Sequence, residues 1–266
     1  MSYPTYTRTS IAMLFDQIVV ITWRNMLRNV RLPQLLVFAT IQPVMFLLLF
    51  NYVFGGAITL GGARGGDYID FLVPGLLAQT SVFGATQTTL GLTEDLASGT
   101  IDRFRSLPIA RVAVLAGRTV SDVMRNAFVV MLMLTVGVVL GFDLRGSILE
   151  GAAAVALVLA FGFAFSWVMA TVGLTVKNPE AAQAAGFLVA FPLTFASSVF
   201  VPTSSMPSWL QHFTDHQPVT VLVNAVRGLM AGTSTASDIG LAFAWIGAIL
   251  VVFVPIAVAA YRRAAQ

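Results

Sequence analysis

The chain has 266 residues, 57% hydrophobic and only 10% charged, with a net charge of +3. A soluble domain carries about 25% charged residues, so this composition excludes a water-soluble globular protein and defines an integral membrane protein. Lys177 is the only lysine and cysteine is absent, which excludes disulfides, thiolate metal sites and cysteine nucleophiles. The arginines mark loops and span ends, the pattern of membrane topology rather than of a nucleic-acid-binding patch.

The opening MSYPTYTRTS has neither a basic n-region nor a small-residue cleavage site, so no removable signal peptide is expected. Ser10 to Arg31 follows, with an apolar run interrupted by Asp16 and stopped by Arg24, short of the roughly 20 residues that a span requires. Ile11, Leu14, Phe15, Ile18 and Thr22 fall at helical spacing, and Arg24, Arg28 and Arg31 continue at steps of four and three. This predicts an amphipathic helix lying on the membrane surface. Residues 1–32 thus read as a cytoplasmic tail and connecting helix, and residues 33–266 as an all-α domain of six membrane spans.

The spans are predicted at Pro33 to Gly55, Tyr68 to Leu92, Val112 to Gly141, Ile148 to Val172, Ala184 to Pro202 and Ile239 to Arg263. With six spans both termini share a side. That side holds 12 of the 15 basic residues, leaving Arg64, Arg145 and Arg227 opposite, while the 12 acidic residues divide evenly. The basic bias predicts that both termini, and the loop between spans two and three, are cytoplasmic. Between spans five and six, SMPSWLQHFTDHQPVTVLVNAVRGLMAG holds an apolar run too short to cross, which predicts a half-buried external hairpin covered by protein.

The loop after span two, EDLASGTIDRFRSLPIAR, is dense in charge. On a helical wheel from Glu94 to Leu107, Leu96, Ala97, Ile101, Phe104 and Leu107 fill one arc, and Glu94, Asp95, Asp102, Arg103 and Arg105 fill the rest. Thr93 is the predicted N-cap and Pro108 the stop. A charged face of mixed sign suits a defined protein partner better than anionic lipid, which favours uniform Lys and Arg. The segment therefore reads as a short cytoplasmic helix that docks a soluble partner.

EDLASGTIDRFRSLPIARVAVLAGR resembles the hallmark segment of type-two ATP-binding-cassette exporter permeases: an acid, Gly-Thr, an amphipathic helix, a proline, then a Gly-Arg pair that opens the next span. TVKNPEAAQ, FVPTSSMPSWLQHF and HQPVTVLVNAVRGLMAG are similar to the daunorubicin-resistance-type branch of that family, in order and with matching spacing. The resemblance implies a surface helix, six spans, a coupling helix between spans two and three, and a partly re-entrant segment between spans five and six. It also implies a dimer of permeases, each docking one cytoplasmic ATPase subunit that holds ATP and magnesium. By position, Glu94, Asp95, Gly99, Asp102, Arg103, Phe104 and Arg105 would form the docking helix. Asp95 stands where the family has glutamate and would pair with Arg24 or Arg28 of the surface helix, with Glu94 as the alternative acid. Gly117-Arg118 takes the family's Gly-Lys position.

Arg118, Asp122 and Arg125 lie at steps of four and three on one face of span three, and are read as a structural ion-pair cluster at its cytoplasmic end. A path for an amphiphile is sought on Gln42 and Asn51 of span one, Gln79, Phe83 and Gln87 of span two, and Phe191, Phe195 and Phe200 of span five. His212, Asp215 and His216 hint at zinc, but Pro218 follows closely and no glutamate base stands between the histidines, so no metal site is expected. GGARGGD lacks the Gly-Lys-Ser/Thr ending of a phosphate-binding loop, so no cofactor is expected in this chain and ATP hydrolysis falls to a separate subunit. The function read from all this is export of a hydrophobic or amphipathic molecule, a drug or a lipid, across the inner membrane of a prokaryote. The alternatives are export of a polymer or glycolipid, and a secondary transporter. The latter should carry a carboxylate at mid-span.

Overall fold

A computed structural model of the chain describes residues 11–31, 33–54, 66–100, 110–176 and 178–264. Its helices are α1 (Ile11–Arg31), α2 (Pro33–Leu49), α3 (Gly66–Ala97), α4 (Arg111–Val139), α5 (Ile148–Thr175), α6 (Pro179–Phe195), α7 (Ser208–His216), α8 (Pro218–Ala231) and α9 (Ala236–Ala264). No strand occurs among the described residues. In lipid only helices and closed barrels satisfy every backbone polar group, and the described residues take the helical solution.

The helix ends follow local chemistry. Ser147 caps α5 through a reciprocal box, its Oγ accepting from the Glu150 amide at 3.2 Å while the Glu150 carboxylate accepts from the Ser147 amide at 2.7 Å. Asn178 caps α6 ahead of Pro179, and Pro218 opens α8 where its missing N–H costs nothing. Gly232 closes α8 with φ at +71°, a conformation that favours glycine.

Among the described residues, four helices are long and apolar enough to cross a membrane: Tyr68–Ala97, Val112–Val139, Ile148–Thr175 and Ala236–Arg263. They answer to predicted spans two, three, four and six. Predicted span one is α2, extended by a wider π-type turn over Phe50–Phe54. Predicted span five differs most. Its helix, α6, starts five residues before Ala184 and ends at Phe195 rather than Pro202, giving 17 residues. Pro192 lies in its final turns, the Ser197 hydroxyl bonds back to the Thr194 carbonyl, and the chain then passes under α3. There a Cβ on Gly75 would lie 2.3 Å from the Val199 carbonyl oxygen, so glycine is what admits the backbone.

The core centres on α3, the most enclosed of the four long helices, while α9 is the least. α5, α4, α6 and α8 surround it, with Leu72, Leu76, Phe161, Phe165, Leu222 and Val226 buried between them. The segment predicted as a half-buried hairpin is α7 and α8, of which α8 packs Val219, Leu222 and Val223 into this core. α1 is a separate helix, as expected, but its apolar stripe is shared. Ile21 and Thr22 turn into the contact with α4, and Met13, Phe15, Val20 and Trp23 are left exposed.

Candidate functional site

α3 carries small residues at Gly84, Thr88 and Gly91, then Asp95, at steps of four, three and four. On antiparallel α4 they face Arg125, Asp122 and Arg118. Arg125 donates to the Gly84 carbonyl at 3.0 Å and lies 3.2 Å from the Asp122 carboxylate. Thr88 donates to the other Asp122 oxygen at 2.6 Å. Arg118 forms an ion pair with Asp95, its guanidinium lying where a Cβ on Gly91 would stand. Two arginines and two aspartates thus balance along one seam, and each charge has a partner, as low dielectric demands.

The ion pair of Asp95 joins α3 to α4 through Arg118, and Glu94, the alternative acid, stands beside it in the last turn of α3. Arg24 donates to Asn25 at 3.2 Å, and the Arg28 side chain lies outside the described residues. The cluster on α4 runs from the early turns of the helix to its middle, Arg125 being the midpoint of these 29 residues. Spacing places residues on a face but says nothing of their depth.

A second seam binds α3 to α5. Ser81, Thr89 and Thr93 donate to the carbonyls of Val158, Met169 and Gly173 at 2.8, 2.8 and 3.0 Å. A Cβ on Gly173 would stand 2.6 Å from the Thr89 carbonyl oxygen, so this glycine sets the helix separation. Thr93 is therefore buried inside α3, not the N-cap of a new helix, and Glu94 and Asp95 belong to the last turn of α3. The helix breaks at Ser98 and Gly99, the latter at φ +68°, and helical geometry resumes at Thr100. Asp102, Arg103, Phe104 and Arg105 lie outside the described residues.

α1 docks on the same end of α4. A Cβ on Gly117 would lie 2.8 Å from Ile21, Thr22 donates to the Gly117 carbonyl at 3.1 Å, and Gln17 accepts from the Ala110 amide at 3.0 Å. The Gly-Arg pair thus has two physical roles: Gly117 admits α1, and Arg118 reaches Asp95.

α2, α3 and α4 enclose a pocket of about 530 Å³, counted with its open mouth. Gln42, Gln79, Phe83 and Gln87 line it together, with Gln42 and Gln87 exposed at the surface. Pro43 and Ala39 are also in its wall, and Pro43 has no N–H to give the Ala39 carbonyl four residues back. Arg125 and Asn126 complete the polar lining, which the sequence reading missed for Asn126 and assigned elsewhere for Arg125. The available signal was the repeat of Gly84, Thr88 and Gly91 against Arg118, Asp122 and Arg125. Asn51 does not join this pocket but lies in the turn beyond α2. Phe191, Phe195 and Phe200 form an aromatic run, with centroids 4.1 and 5.1 Å apart, that continues through Phe50 to Phe46 at the pocket wall.

On the opposite end, Arg227 of α8 sits 3.6 Å over the Phe71 ring and donates to the Phe71 and Ser198 carbonyls, both at 3.0 Å. Asp70 accepts from Arg145 at 2.8 Å and from the Asp143 amide at 3.0 Å. These contacts fasten the α4–α5 loop and α8 to the start of α3. His216 bonds through its ring nitrogen to the His212 carbonyl at 2.9 Å.

Four membrane-length helices among the described residues, with a charge-balanced seam and a pocket between them, describe a multi-pass membrane protein. The profile of the ABC-2 type transporter matches residues 16–231. A daunorubicin resistance ABC transporter permease protein of Streptomyces coeruleorubidus, DrrB1, is 36% identical over 241 residues, covering 91% of this chain and 84% of that one. A probable doxorubicin resistance ABC transporter permease protein of Mycobacterium tuberculosis, DrrC, is 28% identical over 85% of this chain and 81% of its own length. A putative transport permease of Cyanophora paradoxa, ycf38, is 25% identical over 82% of this chain and 76% of its own. The chain belongs to the ABC-2 type transporter family.

Proposed function

We propose that this chain is the six-span permease of an ATP-driven exporter that moves a hydrophobic or amphipathic molecule, a drug or a lipid, out of the cytoplasm or inner leaflet. The observation that carries the reading is the Asp95–Arg118 pair. It ties the end of α3, from which the charged segment emerges, to the part of α4 on which α1 rests. A push on that segment would be passed through the pair to α4, whose other groups line the pocket. Docking falls to Glu94, Asp95, Gly99, Asp102, Arg103, Phe104 and Arg105, and transmission to Arg24, Arg28, Arg118, Asp122 and Arg125. The partners are a cytoplasmic ATPase subunit holding ATP and magnesium, a second permease, and membrane lipid. Both termini face the cytoplasm of a prokaryotic cell. The drug-resistance names of the relatives support a drug as cargo.

The test is co-purification and coupling. A soluble ATPase should co-purify with the wild-type chain, and its activity should respond to the permease. Asp95→Lys combined with Phe104→Ala should abolish both, and if assembly and response survive, the docking role is wrong. For the path, substituting Gln79 and Gln87 together by Leu should depress transport, and undiminished transport rules out that face.

A further inference from the structure

The pocket between α2, α3 and α4 holds a cation whose charge is already met inside the protein. Arg125 lies 3.2 Å from the Asp122 carboxylate and donates to the Gly84 carbonyl. Asp122 is itself buried and takes the Thr88 hydroxyl at its second oxygen. A guanidinium has five N–H donors, more than these two contacts use, and Arg125 lines the pocket whereas Asp122 does not. Around it stand the carboxamides of Gln42, Gln79, Gln87 and Asn126, each able to donate and to accept. Phe46, Phe83 and Val129 supply apolar wall, and no carboxylate is in the described lining.

The depth of this site follows from α1. If α1 lies in the interface, as its exposed apolar face implies, Gly117 marks that level. Arg125 is eight residues further along α4, about 12 Å at a rise of ~1.5 Å per residue. That is the acyl region of the inner leaflet, where an unpaired charge is costly. A cationic ligand would meet Arg125 with no counter-charge. An anionic ligand would compete for a guanidinium that Asp122 already holds, leaving Asp122 buried with the Thr88 hydroxyl but without its counter-charge. An uncharged ligand takes up the spare donors and the carboxamides without burying new charge.

We propose that this pocket selects uncharged amphiphiles, with an apolar body and carbonyl, hydroxyl or amide groups, and that Asp122 sets the selectivity by pairing with Arg125. The proposal rests on the export reading for its purpose, but binding is testable without transport. The permease in lipid nanodiscs would be titrated, by scintillation proximity against empty discs, with three tritiated probes sharing one apolar body. One ends in a primary amide, one in a carboxylate and one in a quaternary ammonium. The amide probe should bind at least about tenfold more tightly than either charged one, the scale of one hydrogen bond to a charged group. Asp122→Asn frees the guanidinium and should bring the carboxylate probe above the amide. Gln42→Leu with Gln87→Leu, both at the exposed rim, should weaken the amide probe about tenfold. Equal binding of a charged probe by the wild type, an unchanged order in Asp122→Asn, or unaltered amide binding in the rim variant each overturns the proposal. If Asp122→Asn does not fold, the wild-type order and the rim variant decide. Selective binding without any cargo-stimulated ATP hydrolysis in the assembled complex would instead count against the export reading alone.

Discussion

Gly173 and Gly240 make a pair of opposites. At Gly173 an added Cβ meets the Thr89 backbone at 2.6 to 3.1 Å, and at Gly240 it meets nothing within 4 Å. Gly173→Ala should therefore push α5 from α3 and cost about 1–3 kcal/mol, read as a lower Tm in detergent. Gly240→Ala should leave Tm unchanged or slightly raised, since alanine is the better helix former. Thr88 supports the buried Asp122 at 2.6 Å. Thr88→Val keeps the shape but removes the donor, and should cost about 1.5–3 kcal/mol, the worth of a hydrogen bond to a charged group. Thr88→Ser, which retains the hydroxyl, should recover most of the loss in the same thermal assay. None of these partners could be read from the sequence, because a hydroxyl in a helix is equally able to bond its own preceding turn.

Helix α1 approaches α4 most closely at one glycine, so a small change there acts on a whole element. Gly117→Leu would collide with Ile21 and the Ile18 carbonyl, moving α1 away from α4. The four long helices do not depend on that contact, so the variant should still insert and purify while losing the ATPase response. A variant that retains the response shows that α1 is not in the transmission route. The end of α3 offers a complementary measurement. Asp95→Asn and Arg118→Gln should each weaken coupling, and the double variant should be no worse than the more severe single one. The coupling energy should fall at about 0.5–3 kcal/mol for residues in direct contact. Additive losses would show that the two side chains act independently.

At the scale of the molecule the decisive quantity is orientation. The chain contains no cysteine, so single introduced cysteines can be labelled against no background. Ser98→Cys, at the exposed break after α3, should react with an impermeant maleimide only in inverted vesicles. Ser237→Cys, exposed at the start of α9, should react only in right-side-out cells. The opposite pattern reverses the assigned sides. The spans that the sequence outlined well are those with long uninterrupted apolar runs, such as α5 and α9. The helix of predicted span five ends at Phe195 rather than Pro202 because SSVFVP, apolar enough to extend a hydropathy window, forms a packed turn at Ser197 and Ser198. The two short helices α7 and α8 escaped residue-level description for the same reason: their burial depends on what lies beside them.

The sequence alone determined that this is a polytopic helical membrane protein, where its charged segment lies and which faces carry amides and arginines. Those properties follow from composition and from a 3.6-residue period, which are local. Only the tertiary structure decided that Asp95 meets Arg118, that Thr93 lies within α3, and that Gln42, Gln79 and Gln87 share one pocket with Arg125. Which helix faces which is fixed by where glycines let backbones approach and where buried charges find partners. Both depend on residues distant in the chain, so no single window of the sequence contains them.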